Sequence, residues 1–164
     1  MDISQHYQDL NDQLWIILDV LIAAIFSGLV GVERQKAQKP AGLRTHMIVG
    51  SMACLLVSLA SKMGAIFSSM PYNEALRIDP LRIIEAIIVG VSFIGAGTIL
   101  KSEKEERVRY LTTSAAILFS AGIGISVALE QYLLACGVSL IALLINNVFR
   151  HIDIKLRSKE ENED

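Results

Sequence analysis

Residues 79–100 read DPLRIIEAIIVGVSFIGAGTIL, and no other stretch limits the fold of this chain so strongly. Asp79 followed by Pro80 predicts a helix start: the aspartate can accept from the orphan N–H groups of the first turn, and proline loses nothing at the first helical position. From Ile83 to Leu100 only Glu85 is ionisable. About 18 residues rising roughly 1.5 Å each make a rod of about 27 Å, close to the hydrocarbon thickness of a bilayer. The segment can therefore cross a membrane as one helix. Gly90, Ser92, Gly95, Ala96 and Gly97 remove the side-chain surface that keeps another backbone away, so close packing is expected along its second half. The Gly95-Ala96-Gly97 run also permits an unwound stretch offering carbonyls to an ion.

Four further apolar runs accompany it, and a chain that is 52% hydrophobic and only 20% charged has the composition of an integral membrane protein. The expected fold class is all-α: a polytopic bundle of five transmembrane helices at about residues 14–32, 47–63, 83–100, 111–129 and 132–149. Lys62 at the end of the second run can extend its stem along lipid, which lets that helix continue toward Phe67. Met1 to Gln13 contains no lysine or arginine. The run after it thus lacks the basic flank of a cleavable signal peptide and is expected to stay as a helix behind a short extracytoplasmic N-terminus, residues 1–13.

Orientation follows from the basic residues. Arg34, Lys36, Lys39 and Arg44 lie between spans one and two, Lys101, Lys104, Arg107 and Arg109 between three and four, and Arg150, Lys155, Arg157 and Lys159 after five; only Lys62, Arg77 and Arg82 fall on the other side. The N-terminus is expected outside and the C-terminus in the cytoplasm. Past residue 149 the apolar positions Ile152 and Leu156 keep helical spacing beside those charges. Residues 150–164 are accordingly expected to form a helix along the inner membrane surface followed by an acidic tail. The two basic loops resemble each other, and the threonines after them, Thr45, Thr112 and Thr113, are natural N-caps. A pseudo-repeat would relate the first hairpin to the second about the membrane normal.

The polar residues gather at two levels. At the cytoplasmic end of span one, Glu33 and Arg34 follow Gly28 and Gly31, and Arg44, Thr45, His46, Thr112 and Thr113 are expected at the same depth. A carboxylate among guanidinium and hydroxyl donors there would form a charge-assisted network. It reads either as a site for an anion, a proton or a partner's polar group, or as a structural clasp holding the hairpins. Ala23, Ser27 and Gly31 recur every four residues, as do Ala24 and Gly28, giving a small-residue stripe whose expected partner is the Gly90 to Gly97 face.

On the outer side, Asp19, Asp79 and Glu85 are the carboxylates near the boundary. Magnesium prefers a few carboxylates with retained waters, so Mg2+ is the ion such a cluster would take, although Arg82 stands three residues from both Asp79 and Glu85 and can neutralise them. No cofactor is otherwise expected. Cys54 and Cys136 fall inside apolar runs without metal or disulfide spacing and read as packing residues. No catalytic motif is present, so an enzyme is not expected, and neither is a nucleic-acid partner. The expected partners are the bilayer itself and another membrane protein or a second copy of the chain.

Taken together, Gly31-x-Glu33-Arg34-Gln35, Ala41-Gly42-Leu43-Arg44-Thr45-His46, Asp79-Pro80-x-Arg82, Gly90-x-x-Phe93-x-Gly95-Ala96-Gly97 and Leu111-Thr112-Thr113 resemble the MgtC/SapB family of small bacterial inner-membrane proteins. The match covers about residues 20 to 130. The resemblance implies a cytoplasmic-membrane protein associated with magnesium homeostasis and growth under magnesium limitation, acting by modulating a membrane partner or, alternatively, as a small ion transporter or channel. Larger members carry a soluble ferredoxin-like domain after the spans, where about fifteen residues follow here, so the resemblance is to a short member without that domain. The chain departs from the family pattern at Ala86, Ser92 and Tyr110, where the family usually has Gln, Gly and Gly.

Overall fold

The computed structural model describes the backbone of residues 3–68, 79–100 and 110–160 and the side chains of residues 10–67, 79–99 and 110–148. Among them every regular element is helical: α1 (Ile3–Lys36), α2 (Leu43–Ser68), α3 (Pro80–Leu100), α4 (Leu111–Ala128) and α5 (Tyr132–Glu160). The first four are long and apolar enough to cross a membrane; the apolar part of α5, Tyr132–Val148, is shorter. Arg77 and the basic run Lys101, Lys104, Arg107 and Arg109 lie outside the described residues, as do the side chains of Arg150, Lys155, Arg157 and Lys159.

Local chemistry sets the helix ends. Asp79 caps α3 as expected, its Oδ1 accepting from the Leu81 N–H at 3.0 Å. The threonines do not cap. Thr45, Thr112 and Thr113 sit inside first turns, because α2 already begins at Leu43, whose N–H donates to Gln35 Oε1 at 3.3 Å. α4 starts behind Tyr110, which holds a left-handed φ of 72° and makes no side-chain cap. α1 and α4 finish alike. The N–H of Gln38 reaches the Gln35 carbonyl and that of Lys39 the Arg34 carbonyl, while Glu130 reaches Val127 and Gln131 reaches Ser126. These are paired Schellman bonds, with Gln38 (φ 53°) and Glu130 (φ 58°) in the left-handed position that glycine usually fills.

The bundle is organised around α4, which touches every other helix; α3, the segment that dominates the sequence, is peripheral and touches only α4 and α2. The share of buried residues makes the same point, 44% in the apolar stretch of α4 against 11% in α3. One core cluster joins Val49, Ala53 and Val57 of α2 to Ile87 and Val91 of α3 and Ile117 and Ala121 of α4. A second joins Ala23 and Val30 of α1 and Cys54 of α2 to Ile123 and Val127 of α4 and Ala135 and Ala142 of α5. α4 supplies both because it is apolar on all sides, the pattern of a helix surrounded by others. Exchanging the first hairpin for the second leaves the neighbour relations of α1 to α4 unchanged; α5, against α4 and α1, breaks that symmetry.

Large apolar side chains cover the outside, among them Leu133 (89% exposed), Phe93 (82%) and Val89 (68%). A surface of this kind belongs against lipid. Between helices in lipid the hydrophobic effect offers little, so close packing and internal hydrogen bonds must hold the bundle. The closest approach is made by glycines. A Cβ on Gly124 would strike the Gly50 carbonyl oxygen and lie 2.9 Å from its carbon, and one on Gly50 would strike Ser27 Oγ and lie 3.2 Å from the Ser120 carbonyl oxygen. α1, α2 and α4 therefore meet almost backbone to backbone.

Candidate functional site

The end of the bundle that carries the α1–α2 loop, with Arg34, Lys36, Lys39 and Arg44, buries an unusual set of polar side chains. The local cause is Gly31: a Cβ there would lie 2.7 Å from Leu43 Cα and 3.0 Å from His46 Cβ, so only glycine lets the start of α2 press onto α1. His46 thereby enters the core with no exposed surface. Its Nδ1 lies 2.6 Å from Ser120 Oγ, which also donates to the Ala116 carbonyl at 3.3 Å, while Ser27 Oγ donates to the Ser120 carbonyl at 3.5 Å. One residue from each of α1, α2 and α4 thus meets in a buried polar node. If the Ser120 proton serves Ala116, Nδ1–H is the donor to Ser120 and Nε2 is left as an acceptor. Among the described residues Nε2 has no partner within hydrogen-bonding geometry.

One turn beyond Val30, Glu33 and Arg34 form a buried ion pair, Arg34 Nε donating to Glu33 Oε2 at 2.7 Å with the residues 7% and 4% exposed. Burial keeps water from competing for the pair, and its removal from water is offset only by close, directed bonds. Glu33 Oε1 has no partner among the described residues, and neither has Thr113 Oγ1 on the first turn of α4, a side chain with no exposed surface. A buried polar atom left without a partner costs about 1–3 kcal/mol. Glu33 Oε1, His46 Nε2 and Thr113 Oγ1 are therefore the bonding capacity that this end has left for a proton, a ligand or a partner's polar group.

Of the expected cluster, the structure buries Glu33, Arg34, His46 and Thr113 at this end, leaves Thr45 half-buried, and places Arg44 and Thr112 on the surface. The expected outer cluster is not assembled. Asp19 accepts from the Tyr132 hydroxyl at 2.8 Å, tying α1 to α5. Asp79, Arg82 and Glu85 lie exposed on α3, which does not touch α1. No ion pair joins Arg82 to Asp79 or Glu85, and among the described residues no three His, Cys, Asp or Glu side chains converge as a metal site would require.

The packing glycines divide too. Gly28 faces Met47, Gly31 faces α2, and Gly95 packs so tightly on α4 that a Cβ would strike Ser114 Oγ. Gly90 and Gly97 have open space where a Cβ would stand. The α1 stripe packs on α2 and not on α3, because α4 lies between the two hairpins. Two residues absent from the sequence reading prove central, Gly50 and Ser120, together with Gly124, which reads as a helix-contact residue of the fourth span. A signal for them exists, since His46 and Gly50, and likewise Ser120 and Gly124, stand four apart and so share one helix face.

A model of the MgtC family matches residues 20–154. YhiD of Escherichia coli K12, whose name marks it as a candidate magnesium transporter, is 37% identical over 143 residues, 87% of this chain and 64% of that protein. Protein SapB of Bacillus subtilis is 35% identical over 82% of this chain and 56% of its own length. Protein MgtC of Salmonella typhimurium is 36% identical over 82% of this chain and 52% of its own length. The chain thus spans between half and just under two thirds of these relatives. No solved structure matches it significantly.

Proposed function

The chain belongs to the MgtC family, and from that premise we propose that it is a non-enzymatic protein of the bacterial cytoplasmic membrane that serves adaptation to low magnesium by modulating a membrane partner. In this reading the N-terminus is outside and the basic end of the bundle faces the cytoplasm, as the positive-inside rule requires. The supporting observation is the uncovered side of α3. Ala86, Gly90 and Gly97 share one exposed face of α3 with Phe93, and among the described residues nothing lies where a Cβ on Gly90 or Gly97 would stand. Two glycines at an open helix face lower its helical stability without serving any contact within the chain, and such a face is suited to close approach by a partner's transmembrane helix.

The second reading is transport, favoured by the name of YhiD. The closed contact of Gly50 with Gly124 and of Ser27 with Gly50 leaves no space for an ion between α1, α2 and α4, so a path would have to run elsewhere, such as between copies of the chain. Two measurements separate the readings. A photo-crosslinking side chain in place of Phe93, which is exposed on the same helix face as Gly90 and Gly97, should capture a membrane protein in magnesium-limited cells, whereas the same group at Leu133 on α5 should not. Replacing Gly90 and Gly97 together by leucine should abolish that adduct and growth at low magnesium while the amount of folded protein stays unchanged. Magnesium flux into proteoliposomes holding only this purified protein would overturn the proposal.

A further inference from the structure

α5 lies against α1 and α4, and exchanging one hairpin for the other carries that seat onto α3 and α2, where no helix of the described residues lies. Resting on the reading of α3 as a partner face, we propose that the partner's transmembrane helix takes this second seat. It lies in the groove between α3 and α2, parallel to α3, with large apolar side chains over Gly90 and Gly97.

The correspondence reaches individual residues. Gly31 lets the start of α2 press onto α1, and Gly95 lets Ser114, in the first turn of α4, press onto α3. Gly31 stands five residues before Lys36, the end of α1, and Gly95 five before Leu100, the end of α3. Setting the two glycines on one another places Asp19 with Ile83, Ile22 with Ala86, Phe26 with Gly90 and Glu33 with Gly97. α5 covers the α1 member of each pair: Tyr132 bonds Asp19, Ile22 and Phe26 pack on the cluster that Ala135 and Ala142 join, and Glu33 faces Leu143 and Asn147 across a groove. On α3, by contrast, Ala86, Gly90 and Gly97 are exposed. Ile83 lines a cavity of about 160 Å³ with Ala60, Ser61 and Gly64 of α2, at the place where α1 has Tyr132 against Asp19.

Direction and size follow. α5 runs in the same sense as α1, since Tyr132 meets Asp19 at one end while Asn147 meets Glu33 and Lys36 at the other. Rotation about the membrane normal keeps that sense, so the incoming helix runs parallel to α3. Its side chains must be larger than those of α5. α5 turns Ala135, Ser139 and Ala142 inward, where α1 offers Ile22 and Phe26; α3 has Ala86 and Gly90 in those places. Contacts are forfeited across any gap, so residues the size of leucine or phenylalanine restore the packing. A second copy of α3 is a poor occupant. In a parallel two-fold pair like residues meet, and Phe93, exposed on this face, would hold apart the backbones at Gly90 and Gly97.

The test places p-benzoylphenylalanine singly at Phe93 on α3, Leu56 on α2 and Ile25 on α1, all exposed, in the full chain in magnesium-limited cells, and maps each adduct by mass spectrometry. Leu56 borders the groove, four residues before Ala60 on the same face, whereas α1 does not touch α3. Phe93 and Leu56 should capture one and the same helix, and Ile25 should not capture it. Val57 and Ile84 line one cavity, so Leu56 stands about 13 Å nearer the start of α3 than Phe93 does. Its crosslink should therefore fall about nine residues earlier in the partner's helix. Gly90→Leu, whose Cβ meets nothing among the described residues, should lower both yields about tenfold, within what overpacking produces. An adduct at Phe93 with none at Leu56 would overturn the seat while leaving α3 as the partner face. No adduct at Phe93 would remove that face, and the seat with it. Crosslinks in the reverse order would refute the parallel direction, and an adduct made only of peptides of this chain would replace the partner by a second copy.

Discussion

Gly124→Ala puts the close meeting of α2 and α4 under strain. The new Cβ would stand 2.9 Å from the Gly50 carbonyl carbon and 3.1 Å from Ala53 Cβ, and closer still to the Gly50 carbonyl oxygen. Two of these are backbone atoms, so no change of rotamer relieves the contact. Carbon atoms rest at about 3.5–4.0 Å, and the oxygen demands more, so the helices must part by about 1 Å. The His46–Ser120 bond lies one turn away on both helices at 2.6 Å, and the same parting stretches it to about 3.6 Å, past the range of a hydrogen bond. Overpacking costs about 1–3 kcal/mol and the lost bond about 0.6–1.7 kcal/mol in a membrane bundle, giving about 2–5 kcal/mol together. Reversible unfolding in bicelles, followed by circular dichroism, measures this directly. Gly122→Ala is the control: a Cβ there meets nothing, so the gain in helix propensity, about 0.5–1 kcal/mol, should stand alone. If the two variants agree within about 0.5 kcal/mol, the ordinary scatter of unremarkable substitutions, the packing argument is wrong.

Three further outcomes are expected. Glu130→Gly should raise stability by about 1 kcal/mol by relieving the left-handed conformation at the end of α4; a loss in the same unfolding experiment would contradict the Schellman assignment. Tyr132→Phe should cost about 0.5–1.5 kcal/mol through its bond to Asp19, and a double-mutant cycle with Asp19→Ala should return that coupling, whereas a coupling near zero would remove this tie between α1 and α5. Cysteines placed at Ser92 and Ala96, both exposed on α3, should stay silent to maleimide reagents, because lipid does not support the thiolate that reacts; labelling by a membrane-impermeant maleimide would reveal a water path along α3.

Much of the candidate site is legible in the sequence because its ingredients are rare in such a setting. Glu33, Arg34 and His46 stand out as polar residues at the ends of apolar runs, and the structure buries all three. Helix ends are legible where the capping chemistry is standard, as at Asp79, and illegible at Gln38 and Glu130, where ordinary side chains hold the position that glycine would have marked. Tyr110 is instructive: the resemblance implies glycine there, and the structure holds it left-handed at φ 72°. The glycines of α3 mislead for a related reason. A small residue records that close approach is possible, not that it occurs, and of Gly90, Gly95 and Gly97 only Gly95 meets a neighbour among the described residues.

The sequence by itself determined an all-helical membrane protein, because length and apolarity leave a segment in lipid no alternative to satisfying its own backbone bonds. It also determined the family, through five ordered motifs. Which helix stands at the centre was decided only by the tertiary structure. α3 and α4 carry similar apolar runs and similar small residues, and nothing local distinguishes a side that faces lipid from one that faces protein when both are apolar. The choice rests on the fit of Gly50 to Gly124, of Gly95 to Ser114 and of His46 to Ser120, contacts between residues more than a dozen positions apart that exist only when the helices are assembled.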